Sequence, residues 1–430
     1  MTGAETYDAV VVGASFAGLA AAGQLAGSGR VLLADREPIG AGETSACGTP
    51  LAVLERLDAG DALEQVCPEV VINVGDRPVR FRPSRPFATF DYATLCGILA
   101  SRLEEVETAV APFRGIADDG ALLLGERRVR AEVVIDASGW RRVVARALGA
   151  PAADRGHLSA GVETRAARGG CALEFWLRPP GLAKGVHWAF PGGDHSREGS
   201  ASYVGETRGL RSDLAGFEGV DEFPPRAVHG GCFPSRLGPA VWDRLFVVGD
   251  AAGQCLPLTG EGVRPALVFG QEAGRQARAV LLGAQTLEAA LSRYRERVER
   301  ARRAYAALER FQFCTIRWPL GVVGPAVRAS SWEPLSRRLE SVYWHLADPA
   351  TLEVAPGTRG HNTLADGCCE TGPAVASRTE RPTPPWPVLA PSPARSDHGH
   401  PSACGCDEPD HCSARPPRGR VRANAAEARR

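Results

Sequence analysis

The sequence predicts an α/β chain, with a three-layer domain on a parallel sheet, an inserted mixed or antiparallel β-sheet, and C-terminal helices. Three observations predict this class. Within residues 7–35 an apolar run, a glycine-rich turn, an Ala/Leu-rich stretch and a second apolar run follow one another, the pattern of a βαβ unit with parallel strands and a right-handed crossover. Buried-type apolar runs recur far along the chain at 131–136 and 243–249, with short extended segments between them. Residues 262–282 and 286–313 then read as long helices rich in Ala, Leu, Arg and Glu.

Taken in order, 7–12 is a strand ending at glycine, 16–27 a helix closed by Gly27 and Gly29, and 30–35 a second strand. Residues 91–105 look helical, 107–113 extended, and 131–136 is a further buried strand. From 157 to 234 extended segments, among them Ala172–Leu177, Val186–Phe190 and Ser200–Val204, alternate with Gly/Pro turns. The expected divisions are therefore 1–150 and 241–285 for the two parts of the parallel-sheet domain. The β-rich substrate side covers 151–240 with contributions from 65–90, and the C-terminal helical segment covers 286–350. Twelve prolines mixed with Ser, Arg and Gly make 351–430 read as a disordered tail.

With 50 basic and 50 acidic residues the formal charge is zero, which argues against nucleic acid as the partner and for a small molecule. No secretory pattern precedes the first strand and no apolar run is long enough to span a bilayer. The expected compartment is the cytoplasm, with peripheral membrane contact left open. Seven cysteines are scattered singly through residues 47–314, without the spacing of a disulfide framework.

The first motif is Gly13-Ala14-Ser15-Phe16-Ala17-Gly18, set between strand and helix. Gly13 permits the tight turn, Gly18 lets helix and strand pack closely, and the amides of the new helix around Ala14, Ser15 and Ala17 face a pyrophosphate. Asp35, followed by Arg36, ends the second strand 22 residues after Gly13, where a carboxylate accepts ribose hydroxyls. Such a motif marks a dinucleotide without choosing between FAD and NAD.

Leu245-Phe-Val-Val-Gly249-Asp250-Ala-Ala-Gly253 supplies the choice. It resembles the Gly-Asp fingerprint of FAD enzymes with the glutathione-reductase-type fold, and the resemblance implies a Rossmann-like FAD-binding domain in which Asp250 meets the ribityl side of the cofactor. Pro257-Leu-Thr-Gly260-Glu261-Gly262 opens the next helix, so its amides are placed to stabilise negative charge on a reduced flavin. Asp136-Ala-Ser-Gly139 resembles the Asp-Gly motif of p-hydroxybenzoate-hydroxylase-like flavoproteins. An arginine usual before the helix near 91 in that fold is absent, leaving Arg80, Arg82 and Arg85 as substitutes.

Gly185-Val-His187-Trp188-Ala-Phe190-Pro191, Cys47-Gly48 and the 257–262 loop together resemble the geranylgeranyl reductase family over most of residues 5–310. The resemblance implies hydrogenation of an isoprenoid double bond, with NAD(P)H or a reduced carrier protein as electron donor. An alternating strand puts Trp188 and Phe190 on one face, a flat wall for an apolar substrate near Cys47, although strand aromatics equally serve as core. Cys47 and His187 are the candidate proton donors. Flavin-dependent halogenases share a related motif but use a lysine early in the chain, whereas the one lysine here is Lys184. Hydroxylation of an aromatic or polyketide-like molecule and a non-catalytic redox carrier remain open alternatives. In the tail, Cys404, Cys406 and Cys412 with nearby histidines are the candidate metal ligands, but no metal is expected, because the spacing matches no standard site.

Overall fold

A computed structural model describes residues 3–354 except 44, 76 and 225. The parallel sheet runs in the order Leu245–Val247, Arg127–Asp136, Glu5–Val12, Val31–Asp35, Val106–Val110, with Val241–Trp242 antiparallel on its outer edge. These strands are near-continuous Val, Leu, Ile and Ala because both faces are covered. On one face lie the helices Phe16–Leu25, Tyr92–Ala100 and Val263–Leu281. On the other lie the strands Phe113–Ile116 and Leu122–Leu124 and the short helix Val143–Ala147. Arg127–Asp136 serves both layers, since its first half pairs antiparallel with Leu122–Leu124 and its second half parallel with Leu245–Val247.

The second sheet has the order His229–Pro234, Leu158–Ala166, Ser196–Ser202, Gly185–Pro191, Ala172–Leu177, Glu69–Val74, Arg77–Phe81. It is mixed, because Ala172–Leu177 runs parallel to Glu69–Val74 while the other pairs are antiparallel. A small third sheet, Gly48–Pro50, Phe87–Phe90 and Leu63–Cys67, joins the two. Thr89 Oγ1 donates to the Pro191 carbonyl at 2.6 Å in its interior.

Three expected elements differ in extent. The strand expected at Ser200–Val204 is Ser196–Ser202; its charged Arg197 and Glu198 disguise it, yet both are fully buried. The helix expected over 286–313 is two, Leu287–Glu299 and Arg302–Arg317, divided where Ala301 N bonds to Val298 O in a tighter turn. The helix expected over 91–105 ends at Ala100, and Arg102 beyond it donates to the carbonyls of Leu57 and Asp58. The helices Leu320–Ser330 and Glu333–Leu346 complete the C-terminal segment.

Glycine sets the distance between the first helix and Val263–Leu281. A Cβ on Gly270 would stand 2.4 Å from the Ala17 carbonyl oxygen, and one on Gly274 2.5 Å from that of Ala21. Gly270→Val therefore forces the helices apart and is expected to destabilise the protein by about 1–3 kcal/mol, read by denaturant unfolding; an unchanged midpoint would contradict this packing.

Candidate functional site

The Gly13 turn folds as the sequence predicts. Gly13 has φ of +109°, and a Cβ there would lie 2.3 Å from the Ala137 carbonyl oxygen. A Cβ on Gly18 would lie 1.7 Å from Gly13 O, so turn and helix touch backbone to backbone. Ser15 occupies the N-cap position, yet no side chain caps the helix; the Ser15 hydroxyl accepts instead from Tyr92 OH at 3.1 Å. The first-turn amides keep their donors for an anion. Asp35 lies beside them, accepting from Ala14 N at 2.6 Å and Glu37 N at 3.0 Å, with lone pairs left for hydroxyl donors. Arg36 is half exposed and sits 3.7 Å from Glu37, turned to an acid rather than the turn.

The second element comes to the first by direct contact. Gly249, with φ of +61°, would place a Cβ 2.8 Å from Ala17 Cβ, and Gly249 N donates to Gln254 Oε1 at 2.6 Å. Gly253 closes the turn at φ +68°. No hydrogen bond among the described residues reaches the Asp250 carboxylate, and burial pushes it up to about 6. A Cβ on Gly262 would be 3.9 Å from Asp250 Oδ1, and the helix beginning at Val263 has no side-chain cap either. Two uncapped helix starts and an unpaired carboxylate thus meet in one place, a donor and acceptor set suited to a dinucleotide's phosphates and hydroxyls.

Two expected contacts have other work. Asp136 is fully buried and accepts from Ser138 N and Oγ and, at 2.9 Å, Ala145 N. Its carboxylate fixes its own turn, of which Gly139 is part at φ +74°, and that turn meets the Gly13 site through Ala137 and the Ser138 amide. Glu261 is paired bidentately with the buried Arg264, both contacts at 2.8 Å, and accepts from Tyr343 OH. It latches the 257–262 loop to the C-terminal helix, and it is the loop backbone, from Pro257 through Gly260 to Gly262, that faces the site. Tyr203 OH donates to Leu258 O at 2.7 Å and Gln312 Oε1 accepts from Leu258 N at 2.8 Å, so the loop is also tied to the second sheet and to Arg302–Arg317.

On the second sheet, Trp188 and Phe190 share a face. The indole lies across Gly199, where a Cβ would come within 2.0 Å of Cζ2, and its Nε1 donates to Glu163 Oε2 at 2.9 Å. Phe190 packs edge-on to Phe175 at 5.3 Å, and a Cβ on Gly48 would stand 2.8 Å from its ring. Cys47, at φ +53°, brings the preceding loop onto this wall. Phe233 packs in the same cluster as Trp188 and lies 3.7 Å from where a Gly260 Cβ would be. The wall is therefore bordered by both the Cys47-Gly48 turn and the 257–262 loop.

His187 points away from this wall, a correction to its place among the proton donors. Strand alternation sends it to the opposite face, where its ring stacks on Phe217 at 4.4 Å and meets the Ser200 hydroxyl. Arg80, Arg82 and Arg85 are likewise elsewhere, the first two on Glu69 and the third on Asp348. Cys404, Cys406 and Cys412 lie outside the described residues.

Sequence reasoning missed the charged group under the wall. Arg197, fully buried, pairs with Glu43 and lies 3.3 Å from Glu64 and 3.9 Å from Glu163. His229 Nε2 lies 3.4 Å from Glu163 Oε1. The cross-strand row Trp188, Gly199, Glu163, His229 assembles them. The signal available was a glutamate, Glu163, directly after the small and apolar run Leu158–Val162, but the register that gives it meaning is tertiary.

No protein-family model and no curated protein sequence matches the chain. Solved structures do. A geranylgeranyl bacteriochlorophyll reductase-like protein from Thermoplasma acidophilum is similar at TM-score 0.69 and 20% identity, over 81% of this chain and 98% of that one. PqsL of Pseudomonas aeruginosa, described as a probable FAD-dependent monooxygenase, gives 0.58 and 17% over 79% and 100%. OxyS anhydrotetracycline hydroxylase from Streptomyces rimosus gives 0.56 and 19% over 78% and 75%. The chain has the Rossmann-like α/β fold of these proteins.

Burial lowers the His187 imidazole to about 4. In an NMR titration it is expected to stay neutral until the pH nears 4, and a midpoint in the ordinary range near 6.5 would contradict the buried, stacked position.

Proposed function

We propose that the chain is an FAD-dependent reductase that hydrogenates a carbon–carbon double bond of an isoprenoid or similarly apolar substrate. The observation that carries this reading is the Trp188–Phe190 wall bordered by both the Cys47-Gly48 turn and the 257–262 loop.

The donor set fits FAD. The amides following Gly13 and Ala14 would hold the pyrophosphate, Asp35 the adenosine ribose, and Asp250 the ribityl hydroxyls, each offering the partner that the other half of the contact lacks. Gly249 and Gly253 keep that turn close to the first helix. FAD, once reduced by NAD(P)H or a reduced carrier protein, would supply the hydride. The start of Val263–Leu281 presents positive potential to the charge a reduced ring carries. The aromatic face of Trp188, Phe175 and Phe233 excludes water and orients an apolar chain, and Cys47, in the turn that borders the wall, holds a transferable proton. The similarity to the Thermoplasma acidophilum protein supports this branch.

Oxygen insertion into an aromatic ring is the second reading, favoured by the likeness to PqsL and OxyS and by a flat wall that equally suits a planar substrate. The two are separated by reducing the loaded protein without oxygen, offering a polyprenyl diphosphate or a phenol with and without O2, and weighing the products. Paired hydrogens gained without O2 are expected; oxygen gained only with O2 would overturn the reductase reading.

Gly199→Val tests the wall itself. The new side chain displaces the indole, and the KM for the polyprenyl probe is expected to rise about tenfold, equivalent to about 1.4 kcal/mol, with flavin absorbance retained. An unchanged KM would remove Trp188 from the substrate surface.

A further inference from the structure

We propose that His229, Glu163 and Glu43 form a proton path from solvent to the Cys47 thiol, with Arg197 holding the two carboxylates in line. The inference rests on the reductase reading above, since it concerns the proton that accompanies the hydride.

The path consists of a contact at each end and a span between the two carboxylates that one water would fill. The His229 side chain is 32% exposed and that of Glu163 5%, so the histidine meets water and the glutamate does not. Nε2 and Oε1 of the pair lie 3.4 Å apart, and neither atom has another hydrogen-bond partner among the described residues. For a carboxylate oxygen this deeply buried, going without a partner is costly, which leaves the histidine N–H as the proton it can share. Ligand atoms of Glu43, Glu163 and His229 all lie within 4.8 Å of one another, a span that a single water bridges. The Cys47 thiol then donates to Glu43 Oε1 at 3.5 Å.

Such a cluster also suits a divalent cation, but Arg197 already supplies the positive charge. Its Nη1 pairs with Glu43 and stands 3.9 Å from Glu163, and Nη2 reaches Glu64 and the Phe90 carbonyl. Arg165 faces Glu43 and Asp91 from outside at 3.7 and 3.9 Å, and His195 faces Glu64. Four carboxylates, from Glu43, Glu64, Glu163 and Asp91, therefore face two guanidiniums. Burial raises Glu163 above the usual carboxyl range against the bonds from His229 and Trp188. The hydrogen bond to Glu163 raises His229. Burial keeps Cys47 as the thiol, well above its usual range, while Arg197 beside it eases formation of the thiolate.

The step balances. One carbon of the double bond takes the hydride with its electron pair, and the other, left with the electrons of the broken π bond, takes the proton from Cys47 Sγ. The thiolate is reprotonated from Glu43, Glu43 from Glu163, Glu163 from His229 and His229 from solvent. One alkene is reduced, one reduced flavin is oxidised, and one solvent proton is consumed. Cys47 is the catalytic group; the other three and Arg197 act through it.

The coupling is read without turnover, by NMR titration of His229 in the full chain. Glu163→Gln keeps an oxygen for the Trp188 indole but cannot ionise, and the His229 midpoint is expected to fall toward the ordinary value near 6.5; an unmoved midpoint overturns the path. With a polyprenyl diphosphate as probe, Glu163→Gln and His229→Gln are each expected to lower kcat about tenfold or more with KM little changed, and Glu163→Asp to recover most of the loss. His229 is partly exposed, so its variant folds even if the buried site tolerates no change. Wild-type kcat in both Gln variants overturns the path. Failure of the reductase reading shows separately, as oxygen in the wild-type product; it overturns protonation of an alkene by Cys47, and the titration still decides whether His229 and Glu163 share a proton.

Discussion

The close approach of Val263–Leu281 to Phe16–Leu25 governs the rest of the molecule. Gly270 and Gly274 lie on the carbonyls of Ala17 and Ala21, and Gly249 lies on the Ala17 side chain, so helices more than two hundred residues apart in sequence pack backbone to backbone. Larger residues would separate them by a side-chain diameter. At contact distance, the uncapped start of each helix and the Asp250 carboxylate come to one region of the molecule. The Glu261–Arg264–Tyr343 latch and the buried tyrosines extend that constraint outward: Tyr294 OH donates to Val247 O and Tyr305 OH to Gln254 O, tying two C-terminal helices to the Gly-Asp turn.

The second sheet is organised by a different economy of space. Gly199 leaves room for Trp188 to lie flat and reach Glu163, and Gly48 leaves room for Phe190. The same face that offers an apolar wall thus ends in a buried ionic group around Arg197. Burying an arginine with several acids is costly and adds little stability by itself, whereas it does place titratable groups beside the wall. The opposite face carries His187, covered by Phe217 of the helix Leu210–Glu218.

Much of the first domain was legible because its signals are local. Strand, turn and helix around Gly13, and strand and turn around Gly249, are set by hydrophobic period and by positions that tolerate only glycine. A second, β-rich sheet between the two parts of the first domain was legible from the alternation of short extended segments with Gly/Pro turns, while its mixed order was left open between mixed and antiparallel. Residue roles were less so. Asp136 and Glu261 sit in the expected motifs, yet their carboxylates bond to Ser138 and Ala145 and to Arg264 and Tyr343, partners that only packing selects. His187 was on the right strand and the wrong face for its expected use. Arg197 and Glu163 stayed hidden because a charged residue in a short strand reads as solvent-facing until the cross-strand register is known.

The arrangement of the two helix starts, Asp250 and the wall around a single cofactor is tested most directly by a crystal structure of the protein with FAD. The account predicts pyrophosphate oxygens on the amides following Gly13, a ribityl hydroxyl on the Asp250 carboxylate, and the isoalloxazine between the 257–262 loop and the Cys47, Phe190 and Trp188 surface. An isoalloxazine lying away from that surface, or an Asp250 carboxylate making no contact with the cofactor, would contradict it.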